Sequence, residues 1–170
     1  MKHSNCELET ERLHLVPFNQ EDTELFLQLN TDAFIRKFMW DDTIIDRETA
    51  EEVIQQNEQH FKNDQYGIWK VFLNQSRELI GYAGLWFFFD EPQPQLIYAI
   101  LEPHTKQGYA TEASRSVIEY AFRELNFTYI IAATDEPHKE SQQVARRLGM
   151  HFAEKRMENN KPTLFFRLDR

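Results

Sequence analysis

Leu101-Glu102-Pro103-His104-Thr105-Lys106-Gln107-Gly108-Tyr109-Ala110-Thr111-Glu112-Ala113 decides how this chain is read. An apolar run ends at Leu101, an X-Pro step favours extended backbone, and a short polar loop opens into helical spacing. The first N–H groups of a helix have no partner inside it, and the helix dipole adds positive charge at the same end. A strand–loop–helix junction of this kind gathers donors around one anion, best a phosphate. Two common phosphate loops are excluded. The chain holds neither Gly-x-x-x-x-Gly-Lys-Ser/Thr nor a Gly-x-Gly-x-x-Gly after a strand.

Upstream of this stretch, residues 95–101 read as a strand. Residues 66–73 and 79–89 read as the arms of a hairpin around Asn74-Gln75-Ser76-Arg77, and Asp90-Glu91-Pro92-Gln93-Pro94 breaks the second arm. Gly81 and Gly84 in that arm mark a bulge or a close backbone approach. Nearer the start, Leu8, Leu13 and Leu15 suggest a first strand, and Asn19 caps a helix with Phe26 and Leu29 inward. Phe34, Ile35, Phe38 and Met39 form a second helical face, and a third helix spans 47–61.

Downstream, Ala110, Ala113, Val117, Ile118, Ala121 and Leu125 fall at helical spacing. Residues 129–133 form an apolar strand, which the β-α-β order predicts to lie parallel to 95–101. A helix over 141–148 stops at Gly149 as a left-handed cap, and 150–152 pairs with 163–168 as a closing hairpin. The pattern predicts one α+β domain over residues 1–170, with 1–6 a flexible tail. Its core is a mixed, mostly antiparallel sheet of about six to seven strands with helices on both faces.

A hydrophobic share of 41% with 14 Phe makes the chain globular rather than disordered. The formal charge of −9 disfavours nucleic acid, whose binding relies on Lys and Arg neutralising phosphates. It would attract a cationic substrate and also serves plain solubility. The single Cys6 excludes an internal disulfide framework and reads as a bystander thiol near a frayed terminus. No signal-peptide core and no apolar run of ~20 residues is present, which predicts a cytoplasmic protein without a membrane partner, monomeric or homodimeric.

Gly108-Tyr109-Ala110-Thr111-Glu112-Ala113 after a strand ending in Leu-Glu-Pro resembles the acetyl-coenzyme A signature of the GNAT N-acetyltransferases. Leu8-Glu9-Thr10-Glu11-Arg12-Leu13-His14-Leu15 resembles the opening strand of the branch that includes ribosomal-protein N-terminal acetyltransferases. Glu78-Leu79-Ile80-Gly81-Tyr82-Ala83-Gly84-Leu85 resembles that branch's third strand, and Ser141 through Leu148-Gly149-Met150 its late helix. The likeness runs from about Glu7 almost to the end.

The resemblance implies a GNAT-like three-layer fold and residue roles. Backbone N–H groups of Gln107, Gly108, Tyr109, Ala110 and Thr111 should cradle the pyrophosphate of acetyl-coenzyme A, with the Thr111 hydroxyl adding a bond. The strand edge at Tyr98, Ala99, Ile100 and Leu101 should pair with the pantetheine amides as an added strand would. Lys106 stands where the family has Gly, and Thr105 where it has Gln or Arg; Lys106 could still approach a phosphate. His138 stands where an Asn faces the coenzyme, and is read as either a cofactor contact or a solvated first-turn residue. Ser141 matches the position near the thioester sulfur, as a contact or a helix cap. No metal is implied.

The implied reaction is direct attack of an amine on the thioester, with positioning supplying roughly 7–11 kcal/mol of the barrier reduction. Relatives use a tyrosine four residues past Ser141 as the acid; here that residue is Ala145, leaving Ser141 as the best replacement. No base is obvious, since Leu96 occupies the usual glutamate position; Glu91 and Tyr98 are candidates. Freeing an α-amine at pH 7 costs only about 1 kcal/mol against about 4–5 for a lysine-type amine. The acceptor is therefore expected to be a peptide N-terminus or small amine. The alternatives are a cationic metabolite such as a polyamine or aminoglycoside, or a non-catalytic coenzyme A-binding module.

Overall fold

The computed structural model describes residues 6–170. In chain order it holds β1 (Leu8–Glu9), β2 (Leu13–Pro17), α1 (Thr23–Thr31), α2 (Ala33–Met39), α3 (Arg47–Asp64), β3 (Ile68–Leu73) and β4 (Leu79–Trp86). Then come β5 (Gln95–Ile100), α4 (Tyr109–Arg123), β6 (Tyr129–Asp135), α5 (Lys139–Arg147), β7 (His151–Glu158) and β8 (Lys161–Asp169). The first five strands form one antiparallel sheet in sequence order, and the last three a second antiparallel sheet in the order β6-β8-β7.

The three-layer α+β arrangement is as the sequence predicts. Residues of β5 alternate between the layers: Leu96 and Ile100 face the core under α4 and α5, while Ile97 and Ala99 face the core under α1, α2 and α3. One expectation changes. The predicted single sheet of six to seven strands is two sheets of five and three strands. β5 and β6 lie side by side with no ladder between them. β6 commits its full length to β8, from Tyr129 opposite Asp169 to Asp135 opposite Thr163, and Tyr98 reaches into the seam from β5 to bond Ser141. A side-chain bond, not a backbone ladder, crosses the seam.

Local sequence explains the element ends. Asn19 accepts from the N–H of Glu21 while Asp22 accepts from the N–H of Asn19, a capping box that starts the first helical turn. Asp32 and Asp46 cap α2 and α3 in the same way. Asn159 and Asn160 both take positive φ, the two-residue turn that matches the twist of the β7–β8 hairpin. Gly81 is required by crowding: a Cβ there would lie 2.0 Å from the Ala99 carbonyl oxygen on β5. Gly149 takes φ +85 and ends α5 as predicted, with the Met150 N–H bonding the Ala145 carbonyl.

The tail expected over 1–6 falls mostly on residues 1–5, which lie outside the described residues. Cys6 itself is held, its carbonyl accepting from Trp69 Nε1 at 2.5 Å and its Sγ lying 3.9 Å from the Tyr120 hydroxyl. No helix among the described residues is long and apolar enough to cross a membrane.

One buried polar side chain ties the sheet to its helical layer. Asn57 on α3 is 1% exposed, donates to the carbonyls of Phe18 and Ile68 and accepts from the Ile68 N–H at 2.7 Å. Asn57→Ala would leave the Ile68 N–H and the Phe18 carbonyl without this partner, each costing about 1–3 kcal/mol, while the Ile68 carbonyl keeps the Phe18 N–H. Urea unfolding is expected to show a loss of about 2–4 kcal/mol.

Candidate active site

After β5, the chain makes a short 3-10 turn at Glu102–His104 with Pro103 in its first turn. Thr105 returns both its N–H and its hydroxyl to the Glu102 carbonyl, and Gln107 Nε2 donates to the Pro103 carbonyl. Lys106 and Gly108 then take left-handed backbone, φ 60 and 83, and α4 begins. Left-handed geometry costs a non-glycine residue roughly 1–2 kcal/mol, so Lys106 holds a conformation that a glycine would hold freely. The N–H groups of residues 106–111 find no acceptor among the described residues. Lys106, Gln107, Gly108, Tyr109, Ala110 and Thr111 thus converge at one helix start.

The loop is braced from the first strands. The Glu112 carboxylate in the first turn of α4 accepts from the Thr10 hydroxyl at 2.6 Å, the Arg12 N–H at 2.9 Å and Arg12 Nε at 2.6 Å. Burial alone would raise the Glu112 pKa, but these bonds and the Arg12 charge hold it below the ordinary carboxylate value. The same guanidinium donates from Nη1 to the Gln107 carbonyl at 2.9 Å and lies 4.5 Å from the Tyr109 ring centre. A hollow of about 510 Å³ beside this brace is lined by Arg12, Gly108, Thr111, Arg115 and Arg147 among others.

At the seam, the Tyr98 hydroxyl lies 2.7 Å from Ser141 Oγ and donates to the Ser141 carbonyl at 3.1 Å. Two of the sequence-predicted catalytic residues are therefore one hydrogen-bonded pair. Burial pushes the Tyr98 hydroxyl up to about 12, with the Ser141 bond opposing only in part. It stays protonated at neutral pH. Ala145, one turn beyond Ser141, is 2% exposed in the core, so its place in the fold has no room for a tyrosine ring without repacking. Ala99, Ile100 and Leu101 stand on the last stretch of β5, whose other edge is paired with β4, Leu101 N–H donating to the Ile80 carbonyl.

His138 is at the N-cap of α5 and is half-buried, not solvated. Its ring stacks on Phe38 of α2, centroids 3.7 Å apart and 7° from parallel. Burial lowers its pKa, opposed by the charges of Glu140 and Asp135 and reinforced by Lys37. Lys161, after the β7–β8 turn, pairs with Asp41 and with Asp135, joining the loop after α2 to the ends of β6 and β8. Glu91 is drawn elsewhere. Its carboxylate pairs with Arg156 Nη2 at 2.7 Å, and that guanidinium sits 3.8 Å over the Phe165 ring. No contact brings Glu91 to the Tyr98–Ser141 pair.

On the α1–α3 face of β5 lies a cavity of about 70 Å³, lined by Phe26, Met39, Trp40, Tyr82, Trp86 and Ile97 among others, with no carboxylate in its wall. The polar tips of Trp40 and Tyr82 both donate to Asn30 Oδ1, at 2.7 and 2.8 Å, which leaves the cavity apolar. Sequence reasoning missed Arg12, Glu112 and Phe38. Thr10 and Arg12 stand 102 and 100 positions from Glu112 in the chain, and only folding brings them to it.

The family model described as Acetyltransferase (GNAT) domain matches residues 12–151. YnaD, an uncharacterized N-acetyltransferase of Bacillus subtilis, is 26% identical over 141 residues, 83% of this chain and 80% of that protein. An acetyltransferase from Agrobacterium tumefaciens has a TM-score of 0.82 at 22% identity, covering 96% of this chain and 94% of its own. RimL, a ribosomal alpha-N-protein acetyltransferase solved in complex with coenzyme A, has a TM-score of 0.80 at 15% identity, covering 96% and 97%. These structural likenesses concern the fold.

The His138–Phe38 stack makes a pH prediction. With the folded pKa depressed, the stack contributes fully above the unfolded value of about 6.5, and that contribution falls as pH drops from there through the folded pKa. His138→Phe keeps an aromatic stack and removes the protonation. Unfolding at pH 7.5 and 5.5 should show a smaller acid-side loss for the variant than for the parent.

Proposed function

This chain belongs to the GNAT acetyltransferase family, and from that premise we propose that it moves the acetyl group of acetyl-coenzyme A to an α-amine next to a small apolar side chain. A peptide or protein N-terminus is the preferred acceptor class. One observation carries the reading: the unpartnered N–H groups of residues 106–111 lie at the end of the same strand that holds Tyr98 against Ser141.

The N–H groups of residues 107–111 bind the pyrophosphate, with the helix dipole behind them. The open edge of β5 takes the pantetheine amides and lays the thioester along the seam towards Ser141. The amine attacks the thioester carbonyl, the carbon–sulfur bond breaks, and the thiolate takes a proton from Ser141 Oγ as that oxygen takes one from the water that received the amine's proton, while the Tyr98 hydroxyl keeps its own proton and holds Ser141 in place. A thiol with pKa near 8.5 is already a fair leaving group, so this proton assists the reaction rather than deciding it. An α-amine needs only about 1 kcal/mol to be neutral at pH 7, so a water can take its proton. Glu91, held by Arg156, is not required.

The apolar cavity beside β5 supports the acceptor class. A polyamine or aminoglycoside would bring charge to a wall without a carboxylate, whereas a small aliphatic side chain would bury apolar surface there. Thiol release from acetyl-coenzyme A, with peptides beginning in Ala, Ser or Met, polyamines and aminoglycosides as acceptors, tests this. The peptides should turn over at least tenfold faster than the polycations; faster turnover of the polycations sinks the acceptor assignment, and no turnover with any amine sinks the catalytic one.

Ser141→Ala should lower kcat by about tenfold, below the roughly 10²–10⁴ of full general acid catalysis because the thiolate is already a fair leaving group, with little change in acetyl-coenzyme A KM. Tyr98→Phe should lower kcat less, since Ser141 keeps its own hydroxyl. Steady-state kinetics at pH 7 distinguishes the two, and a kcat unchanged by Ser141→Ala removes that residue from the proton path.

A further inference from the structure

We propose that Arg12 is the positioning residue that sets the phosphate loop, turning the Gly108 N–H towards the coenzyme by holding the Gln107 carbonyl away from it. The inference rests on the pyrophosphate reading of residues 107–111 given above. In a trans peptide the C=O and N–H point in opposite directions, and the chain has no cis bonds among its described residues. Arg12 Nη1 bonds the Gln107 carbonyl at 2.9 Å, so the N–H on the far side of that peptide, the one belonging to Gly108, is turned away from Arg12. Without the guanidinium, this peptide could flip and present a carbonyl oxygen to the phosphates, because the glycine that follows tolerates many backbone conformations.

The same side chain removes a second obstacle. Glu112 places a carboxylate within one turn of an anion site, where it would repel phosphate. Arg12 Nε at 2.6 Å, with the Arg12 N–H and the Thr10 hydroxyl, engages that carboxylate and offsets its charge. A planar fork can serve Glu112 and Gln107 at once from fixed angles, which a lysine ammonium cannot reproduce. Space favours the arrangement too: a Cβ on residue 108 would stand 3.2 Å from Arg12 Nη2, so any larger residue there would press the guanidinium back by a few tenths of an ångström. Arg12 touches neither acetyl group nor amine in this scheme. It acts through the loop.

The test compares two donors, acetyl-coenzyme A and S-acetylpantetheine, which carries the same thioester but no phosphate. In the parent protein the ratio of kcat/KM for the two donors reports what the phosphate loop contributes. Arg12→Lys, which keeps the charge beside Glu112, and Arg12→Ala should each lower that ratio at least tenfold, through KM for acetyl-coenzyme A rather than kcat. Melting temperatures are measured alongside, and if Arg12→Ala fails to fold, Arg12→Lys decides. An unchanged ratio in a folded variant overturns the proposal, as does an equal loss with both donors, which would make Arg12 a structural brace only. If the parent itself shows no preference for acetyl-coenzyme A, the phosphate-loop reading fails, and the proposal with it, by a result that involves no Arg12 variant.

Discussion

The architecture turns on a seam where two strands run side by side without pairing. β5 closes one sheet, β6 closes the other, and no ladder joins them. Backbone donors and acceptors are obligatory hydrogen-bonding groups, so an unpaired strand edge is a template for another extended chain. The α4 start sits at the end of this edge, and its own unpartnered N–H groups continue the row of donors. A long ligand that is amide-bearing in the middle and anionic at one end meets complementary groups along this path.

A side-chain bond crosses beside the seam. Tyr98 comes from β5, Ser141 from α5, and their hydroxyls meet at 2.7 Å between the two layers. A tyrosine on a strand stands near perpendicular to the sheet and reaches much farther than a serine, so it can span a gap that backbone cannot. One turn beyond Ser141 the helix carries a buried alanine, Ala145, and the phenol beside Ser141 comes from the strand. The pairing unites two residues that sequence patterns treat as unrelated.

The opposite mouth of the seam is covered by α2. The Phe38–His138 stack and the Lys161 pairs with Asp41 and Asp135 join the loop around α2 to the second sheet. These contacts link elements far apart in the chain and border the apolar cavity side of β5. Asp41 and Asp42 take positive φ next to them, a conformation that short polar side chains tolerate and that turns the chain sharply after α2.

By itself the sequence determined the element order, the layers and the glycine-containing turn that opens α4. Helical spacing, Asn19 and Gly149 as caps, and the glycine in Gln107-Gly108-Tyr109 are local signals, because capping and left-handed backbone act within a few residues. Only the tertiary structure decided the rest. It split the expected single sheet, since β6 pairs its whole length with β8. It joined Tyr98 to Ser141, gave Glu91 to Arg156, stacked His138 on Phe38 and carried Arg12 to Gln107 and Glu112. Each of these contacts depends on where two distant elements come to rest, and that is set by packing of the shared cores, which has no period to read along the chain.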